Sequence, residues 1–175
     1  GEDTISSYPV GPDGATGTAV KSRVPAGRGP RQILFDRARR LCYVVAERGH
    51  TLGVYRPNAA DGGLELLREY PTVLTGGTCL TGGAVQADDG RLYVANRGPN
   101  TLTVFEPSGD VELRRLGEVP SGGSWPRYLA LLGGDRLLVA NQKSGLLCCF
   151  ATDGPLPVPL SAYRHPLVSW AGAVD

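Results

Sequence analysis

The sequence contains few of the residues that hold structural metals. It has four cysteines (Cys42, Cys79, Cys148 and Cys149) and two histidines, and no two cysteines form a C-x-x-C pair. Structural zinc sites are built from Cys and His ligands at short spacings, so we expect no metal. Cys42, Cys148 and Cys149 fall inside strand patterns, where cysteines are usually free, buried thiols. Such thiols indicate a reducing compartment. We therefore expect a cytoplasmic protein.

Long apolar runs and a strong charge of either sign are also missing. No apolar stretch approaches the length of a membrane-spanning helix, and no signal peptide is recognisable. The formal net charge is +1, which gives no electrostatic basis for binding nucleic acid or an anionic membrane. We expect neither nucleic acid nor a membrane as a partner.

The sequence does contain one segment in three copies, Leu41–Tyr55, Arg91–Phe105 and Arg136–Phe150. The second copy begins 50 residues after the first, and the third begins 45 residues after the second. The copies are rich in β-branched, aliphatic and aromatic residues and are separated by Gly, Pro and Asp. Short β segments that recur with a period in the forties are typical of propeller blades.

Each copy fits the two middle strands of a four-stranded unit, so the predicted fold class is all-β. The architecture is a β-propeller of four-stranded antiparallel blades, with about three complete blades and two partial ones. The predicted blades are 27–75, 76–120 and 121–165, with 1–26 as the end of a preceding blade and 166–175 as the first strand of a following one. Open sheet edges leave strands unpaired, so we expect self-association or missing blades to complete the ring.

The repeats separate packing positions from positions that chemistry can use. Apolar slots agree between copies, whereas the slot after the second strand holds Glu47, Arg97 and Gln142 in turn. Equivalent slots of successive blades share one end of a propeller, so these side chains should face one cleft. Arg31 and Arg127 open the first strand in two copies, where the middle copy has Thr81 or Gly82.

Five motifs together resemble the lactonase family of seven-bladed β-propellers, typified by bacterial 6-phosphogluconolactonase. The motifs are Gly29–Arg31, Tyr43–Glu47, Tyr93–Gly98, Trp125–Arg127 and Leu138–Gln142. The match covers nearly the whole chain and corresponds to roughly the C-terminal half of a family member. The sequence departs from the family pattern at Gln32, where the family usually has His, at Ala46, where it has Asn, and around Gly83.

The resemblance implies hydrolysis of a sugar lactone, most simply 6-phosphogluconolactone in the pentose phosphate pathway, without a cofactor. It also implies that Arg31, Glu47 and Arg97 lie in the cleft. We predict Glu47 as the general base and Arg31 as its neighbour, which stabilises the oxyanion. Substrate binding is assigned to the remaining polar residues of the cleft, which are Arg97, Arg127, Gln142 and Gln32.

Two alternatives stay open from the sequence. One is a non-catalytic binding or scaffold propeller of the YVTN type, and the other is a truncated, inactive family member. In either case Glu47 and its arginines would form a structural ring of salt bridges. Trp125 is predicted to be a packing residue, and Asn96 and Asn141 are predicted to hold turns through side-chain to backbone hydrogen bonds.

Overall fold

The chain folds into β-strands and turns. A computed structural model describes residues 3–74, 79–133, 135–166 and 168–169. These residues form fourteen strands and no α-helix. In chain order the strands are β1 Thr4–Ser7, β2 Val20–Arg23, β3 Pro30–Asp36, β4 Leu41–Ala46, β5 Thr51–Pro57, β6 Leu64–Pro71, β7 Leu80–Gln86, β8 Leu92–Arg97, β9 Thr101–Ser108, β10 Glu112–Pro120, β11 Pro126–Leu132, β12 Arg136–Asn141, β13 Leu146–Ala151 and β14 Val158–Arg164.

The strands form one hairpin and three four-stranded antiparallel sheets. β1 pairs with β2, and the other sheets run β3-β4-β5-β6, β7-β8-β9-β10 and β11-β12-β13-β14. Each four-stranded sheet is a simple meander that contains one copy of the repeat, as in a propeller blade. The predicted fold class, an all-β partial propeller, is confirmed. The blade boundaries stay predictions.

The second strands of the first and second blades have the strongest apolar pattern because both of their faces are covered. All six residues of β4 and all six of β8 are buried. A strand that packs on both faces reads as a continuous apolar run rather than an alternating one. The turn before β4 is closed by Asp36, whose carboxylate accepts a hydrogen bond from Arg39 N at 3.0 Å.

The apolar core lies between the blades rather than within any one of them. One cluster joins the β1–β2 hairpin to the first blade through Ile5, Val24 and Tyr55. Two larger clusters fill the first-to-second and second-to-third blade interfaces, with Phe105 in one and Phe150 in the other. A single blade therefore could not bury its apolar side chains alone.

Asn96 and Asn141, which the sequence predicted to hold turns, are both fully buried, and their side chains bond to the backbone of distant links rather than to their own turns. Asn96 Nδ2 donates to Thr72 O at 3.3 Å, and Asn141 Nδ2 donates to Ser121 O at 2.9 Å. Thr72 and Ser121 lie in the links that lead from one blade to the next. Each asparagine therefore ties its own blade to the link that enters that blade.

Two predicted segments fall on residues that the structure does not describe. The predicted first strand of a following blade, residues 166–175, lies outside the described residues except for Pro166, Val168 and Ser169. The sequence also predicts a glycine-rich loop at Thr75–Gly77, and this loop lies wholly outside them.

Candidate functional site

The slots that differ between repeats meet at one end of the sheets, which we call the mouth. Glu47 and Gln142 directly follow β4 and β12, and Arg97 is the last residue of β8. Glu47 N donates to Gly29 O at 2.9 Å, and Gln142 N donates to Trp125 O at 3.0 Å. These matching hydrogen bonds show that the two slots are structurally equivalent. Glu47 is also held by its carbonyl, which accepts from Thr81 N of the next blade at 2.9 Å.

A β-bulge interrupts the innermost strand of every blade near the mouth. In β3 the extra residue is Arg31, between the paired Pro30 and Gln32, and in β11 it is Arg127. Bulges next to active sites re-aim a side chain and are retained for that purpose. The bulge therefore explains why an arginine at the start of an inner strand points into the mouth.

The middle blade has its bulge at Gly82 and Gly83, opposite Ala95, so Gly82 rather than Thr81 matches Arg31 and Arg127. A Cβ on Gly82 would lie 2.4 Å from Pro126 O. This blade therefore cannot place a side chain in the slot, because the next blade's backbone already fills the space.

Glu47, Arg31 and Arg97 form one cluster, which we call the mouth cluster. Arg31 Nη1 donates to Glu47 Oε1 at 3.3 Å, and Arg97 Nη2 donates to the same oxygen. Arg97 Nη2 also donates to Thr81 O at 3.0 Å. One carboxylate oxygen is thus shared by two guanidinium groups from neighbouring blades.

The exposure of the mouth cluster divides its members into two kinds. The side chains of Glu47 and Arg31 are 32% and 24% exposed, whereas that of Arg97 is only 4% exposed. Glu47 and Arg31 can therefore meet a small molecule from solvent. Arg97 lies behind them and acts on the site mainly through Glu47.

The arginines keep Glu47 ionised. Burial raises the pKa of the Glu47 carboxyl, but the hydrogen bonds and charges of Arg97 and Arg31 outweigh burial and bring it below its ordinary value of 4.5. The pKa of Arg31 is lowered, first by burial and then by the positive charges of Arg97 and Arg127, against the opposing effect of Glu47. The mouth thus holds an anion among several cations.

The other predicted site residues lie outside the mouth cluster. Arg127 Nη1 reaches Gln142 Oε1 at 3.5 Å, within the third blade. The Gln32 side chain makes two hydrogen bonds of 2.9 Å with the backbone of Ala84, one from Nε2 to O and one to Oε1 from N. Gln32 therefore ties two inner strands together, and its substrate-binding role, like those of Arg127 and Gln142, stays a prediction.

The structure adds Trp125 and Lys143 to the mouth. Lys143 Nζ lies 3.3 Å from the centroid of the Trp125 ring, and Arg97 Cζ lies 5.5 Å from it. Trp125 belongs to none of the three apolar clusters. Its environment is therefore cationic, which differs from the packing role that the sequence predicted. The repeat places Trp125 in the slot that Gly29 occupies in the first blade, but it shows neither the backbone conformation of Trp125 nor its cationic neighbours.

A second groove lies at the opposite end of the sheets, with a volume of about 730 Å³ and turn residues in its lining. Its charged groups are engaged with one another, as in the contacts of Arg39 with Asp36 and of Arg91 with Asp89. We place the candidate site at the mouth because the slots that differ between repeats meet there and because two arginines from neighbouring blades share its accessible carboxylate. Among the described residues no three His, Cys, Asp or Glu side chains are grouped to hold a metal ion.

A family model described as lactonase, 7-bladed beta-propeller, matches residues 1–156. The chain belongs to this lactonase family. The 6-phosphogluconolactonase of Bacillus subtilis is 31% identical over 160 residues, which are 87% of this chain and 45% of that one. The chain spans about half the length of the curated relatives it matches.

Solved structures share the fold of this chain. The periplasmic gluconolactonase PpgL of Pseudomonas aeruginosa superposes with a TM-score of 0.85 at 26% identity, covering 95% of this chain and 50% of that one. A protein from Lactobacillus plantarum superposes with a TM-score of 0.87 at 24% identity, covering 94% of this chain and 50% of that one, and supports the fold alone. None of the described residues of the lactonase-family chain forms a helix that could cross a bilayer.

Proposed function

We propose that this lactonase-family chain hydrolyses a sugar lactone at the mouth cluster. The observation that carries the proposal is an accessible, ionised Glu47 held between Arg31 and Arg97. Family membership supports lactone hydrolysis as the reaction class. The name of the Bacillus subtilis relative supports 6-phosphogluconolactone as the substrate and 6-phosphogluconate, in the pentose phosphate pathway, as the product.

The first step is attack of water on the lactone carbonyl. Glu47 accepts a proton from the water while the oxygen of that water bonds to the carbonyl carbon. The carbonyl oxygen becomes an oxyanion, which the Arg31 guanidinium stabilises by hydrogen bonding and charge. Because the pKa of Glu47 is lowered, the carboxylate is always available at neutral pH, although it is a weaker base than a free glutamate.

The second step is collapse of the tetrahedral intermediate. The carbonyl re-forms, the bond between that carbon and the ring oxygen breaks, and the ring oxygen takes the proton held by Glu47. The products are a hydroxyl and a carboxylic acid, so one water is consumed and Glu47 returns to its ionised state. This reaction draws on no cofactor. Arg127 and Gln142 are proposed to hold the anionic group of the substrate.

The proposal is tested by Glu47→Gln, which removes the proton acceptor but keeps an oxygen for Arg31 and Arg97. We expect kcat to fall about 10²–10⁴-fold while the circular dichroism spectrum is retained. The spontaneous rate in buffer is subtracted, because the lactone also hydrolyses without protein. The matched control is Glu65→Gln, an exposed glutamate on β6, which should keep wild-type kcat. Equal rates for wild type and Glu47→Gln would refute Glu47 as the base.

A binding propeller is the second candidate, and one observation favours it. The hydrogen-bonding groups at the mouth are partly engaged with one another, as in the contacts of Arg97 with Glu47 and of Gln32 with Ala84. If the cluster is only a salt-bridge ring, Glu47→Gln lowers the unfolding temperature and no lactone is turned over.

The compartment is proposed from the cysteines. Cys42, Cys79 and Cys148 are buried free thiols, and burial raises the pKa of Cys42 and of Cys79 to about 11. Such thiols are protonated at neutral pH and suit a reducing, cytoplasmic setting.

A further inference from the structure

Trp125 has a backbone conformation that bulky residues rarely adopt. Its φ is 66°, in the left-handed region, where L side chains are strained. The same slot in the first blade holds Gly29 with φ 61°, and both residues precede a Pro-Arg pair. Glycine would fit this slot without strain. Strained residues of this kind cluster at functional sites, so the tryptophan calls for a functional reason.

The backbone of Trp125 is fixed from two blades. Trp125 N donates to Asn100 Oδ1 at 2.7 Å, and Trp125 O accepts from Gln142 N at 3.0 Å. Asn100 belongs to the second blade and Gln142 to the third. The backbone of Trp125 is thus held at the boundary between two blades, at the mouth.

One face of the Trp125 ring is in contact with the ammonium group of Lys143. Lys143 is exposed, and its Nζ rests 3.3 Å from the ring centroid. A cation over an aromatic ring at an exposed site is held only weakly. Another group can therefore replace the ammonium on this face of the ring.

The Trp125 ring also lies close to the proposed chemistry. Arg97 Cζ is 5.5 Å from the ring centroid, and Arg97 Nη2 binds Glu47 Oε1. One guanidinium group thus joins the ring to the carboxylate. In the first blade the matching space is filled differently, because a Cβ on Gly29 would lie 2.8 Å from Arg48 Nε. The third blade alone of the three presents an aromatic ring here.

We infer that Trp125 is a substrate-binding residue whose indole face receives the C–H face of the sugar lactone ring. The C–H groups of a sugar ring carry a slight positive charge and match the negative face of an aromatic ring. Lys143 leaves the ring when substrate arrives and pairs with an anionic group of the substrate. This inference rests on the proposed lactone hydrolysis, and it adds the residue that orients the substrate ring beside Glu47.

The test uses Trp125→Gly, which removes the ring and relieves the strain, and Trp125→Phe, which keeps a smaller ring. KM is measured for 6-phosphogluconolactone, and Kd is measured by calorimetry for the stable product, 6-phosphogluconate. We expect Trp125→Gly to raise both constants about tenfold and Trp125→Phe to raise them less. Circular dichroism and the unfolding temperature check the fold. The control is Phe35→Ala, which removes an exposed ring at the other end of β3 and should change neither constant.

The outcomes separate this inference from the proposed function. Lactone turnover with unchanged KM and Kd in folded Trp125→Gly overturns the substrate-binding role and leaves the hydrolase standing. A change confined to kcat also overturns it, because the ring would then only position Arg97. Binding of 6-phosphogluconate that weakens in Trp125→Gly, without turnover by the wild type, supports the ring and refutes the hydrolase. Absence of both binding and turnover in the wild type refutes both.

Discussion

At the scale of single residues, the mouth is a site of unbalanced charge. One carboxylate, Glu47, faces the cations Arg31, Arg97 and Arg127, with Lys143 beside them on the Trp125 ring. The excess positive charge favours an anionic ligand and stabilises negative charge that develops during a reaction. The same excess keeps Glu47 ionised. The carboxylate is therefore ready to accept a proton at neutral pH, but it is a weaker base than an ordinary glutamate.

The lowered pKa of Glu47 predicts the pH dependence of activity. Hydrolysis requires the ionised carboxylate, so the rate falls only when Glu47 becomes protonated. Its pKa lies below 4.5, so the acid limb of the kcat/KM profile should lie below pH 4.5. The measurement is kcat/KM from pH 3 to 7, after subtraction of the buffer rate. An acid limb centred above pH 5 would show that another group controls the reaction.

Site residues that differ between the aligned repeats could be predicted from the sequence. A site residue whose role depends on its backbone conformation could not. Glu47, Arg31 and Arg97 differ between copies at aligned slots, and the structure brings them together. The positive φ of Trp125 is set by bonds to Asn100 and Gln142, which no sequence spacing shows.

At the scale of strands, the bulge in each innermost strand links the fold to the site. The repeat predicted four strands for each blade, because apolar runs and the alternating segments beside them can be recognised in a single sequence. A bulge is a property of the pairing between two strands, so its position cannot be read from one strand's sequence without the register. This is why the middle copy left Thr81 and Gly82 as alternatives, which the pairing of β7 with β8 now resolves.

Substitution of Gly82 tests the close contact at this bulge. A Cβ there would meet Pro126 O at 2.4 Å and Ala95 Cβ at 3.1 Å, and backbone cannot move aside as a flexible side chain can. We expect Gly82→Ala to lower the free energy of unfolding by about 1–3 kcal/mol, measured by urea denaturation. The matched control is Gly154→Ala, whose Cβ has its nearest neighbour at 3.8 Å and should cost less than about 0.5 kcal/mol. Equal stability of the two variants would contradict the contact.

At the scale of the whole molecule, stability comes from contacts between blades. Within the described residues, the sheets of the first and second blades have a packing partner on each face. The third sheet has such a partner only on the face towards the second blade. Leu147 pairs with Tyr163 across this sheet, and Val158, Leu160 and Tyr163 on β14 are more than half exposed. Exposed apolar residues that lie together on one strand are typical of a surface that another chain or domain covers. We propose that a second copy or further blades cover this one.

The mass of the purified chain in solution tests this proposal. We expect sedimentation to give a mass above the 18.4 kDa of one chain, because the outward face associates. Leu147→Glu should shift the distribution towards 18.4 kDa, since a charge cannot be buried there without cost. Val10→Glu, an exposed position in the N-terminal hairpin, is the control and should not shift it. A wild-type chain that stays at 18.4 kDa at high concentration would contradict association.

The most direct measurement is the rate of 6-phosphogluconolactone hydrolysis by the wild-type chain, taken across size-resolved fractions of the purified protein. We predict a rate above that of buffer that follows the folded protein through the fractions and disappears in Glu47→Gln. A folded wild-type chain with no rate above buffer in any fraction, or with a rate that Glu47→Gln retains, would contradict the claim that the mouth cluster hydrolyses a lactone.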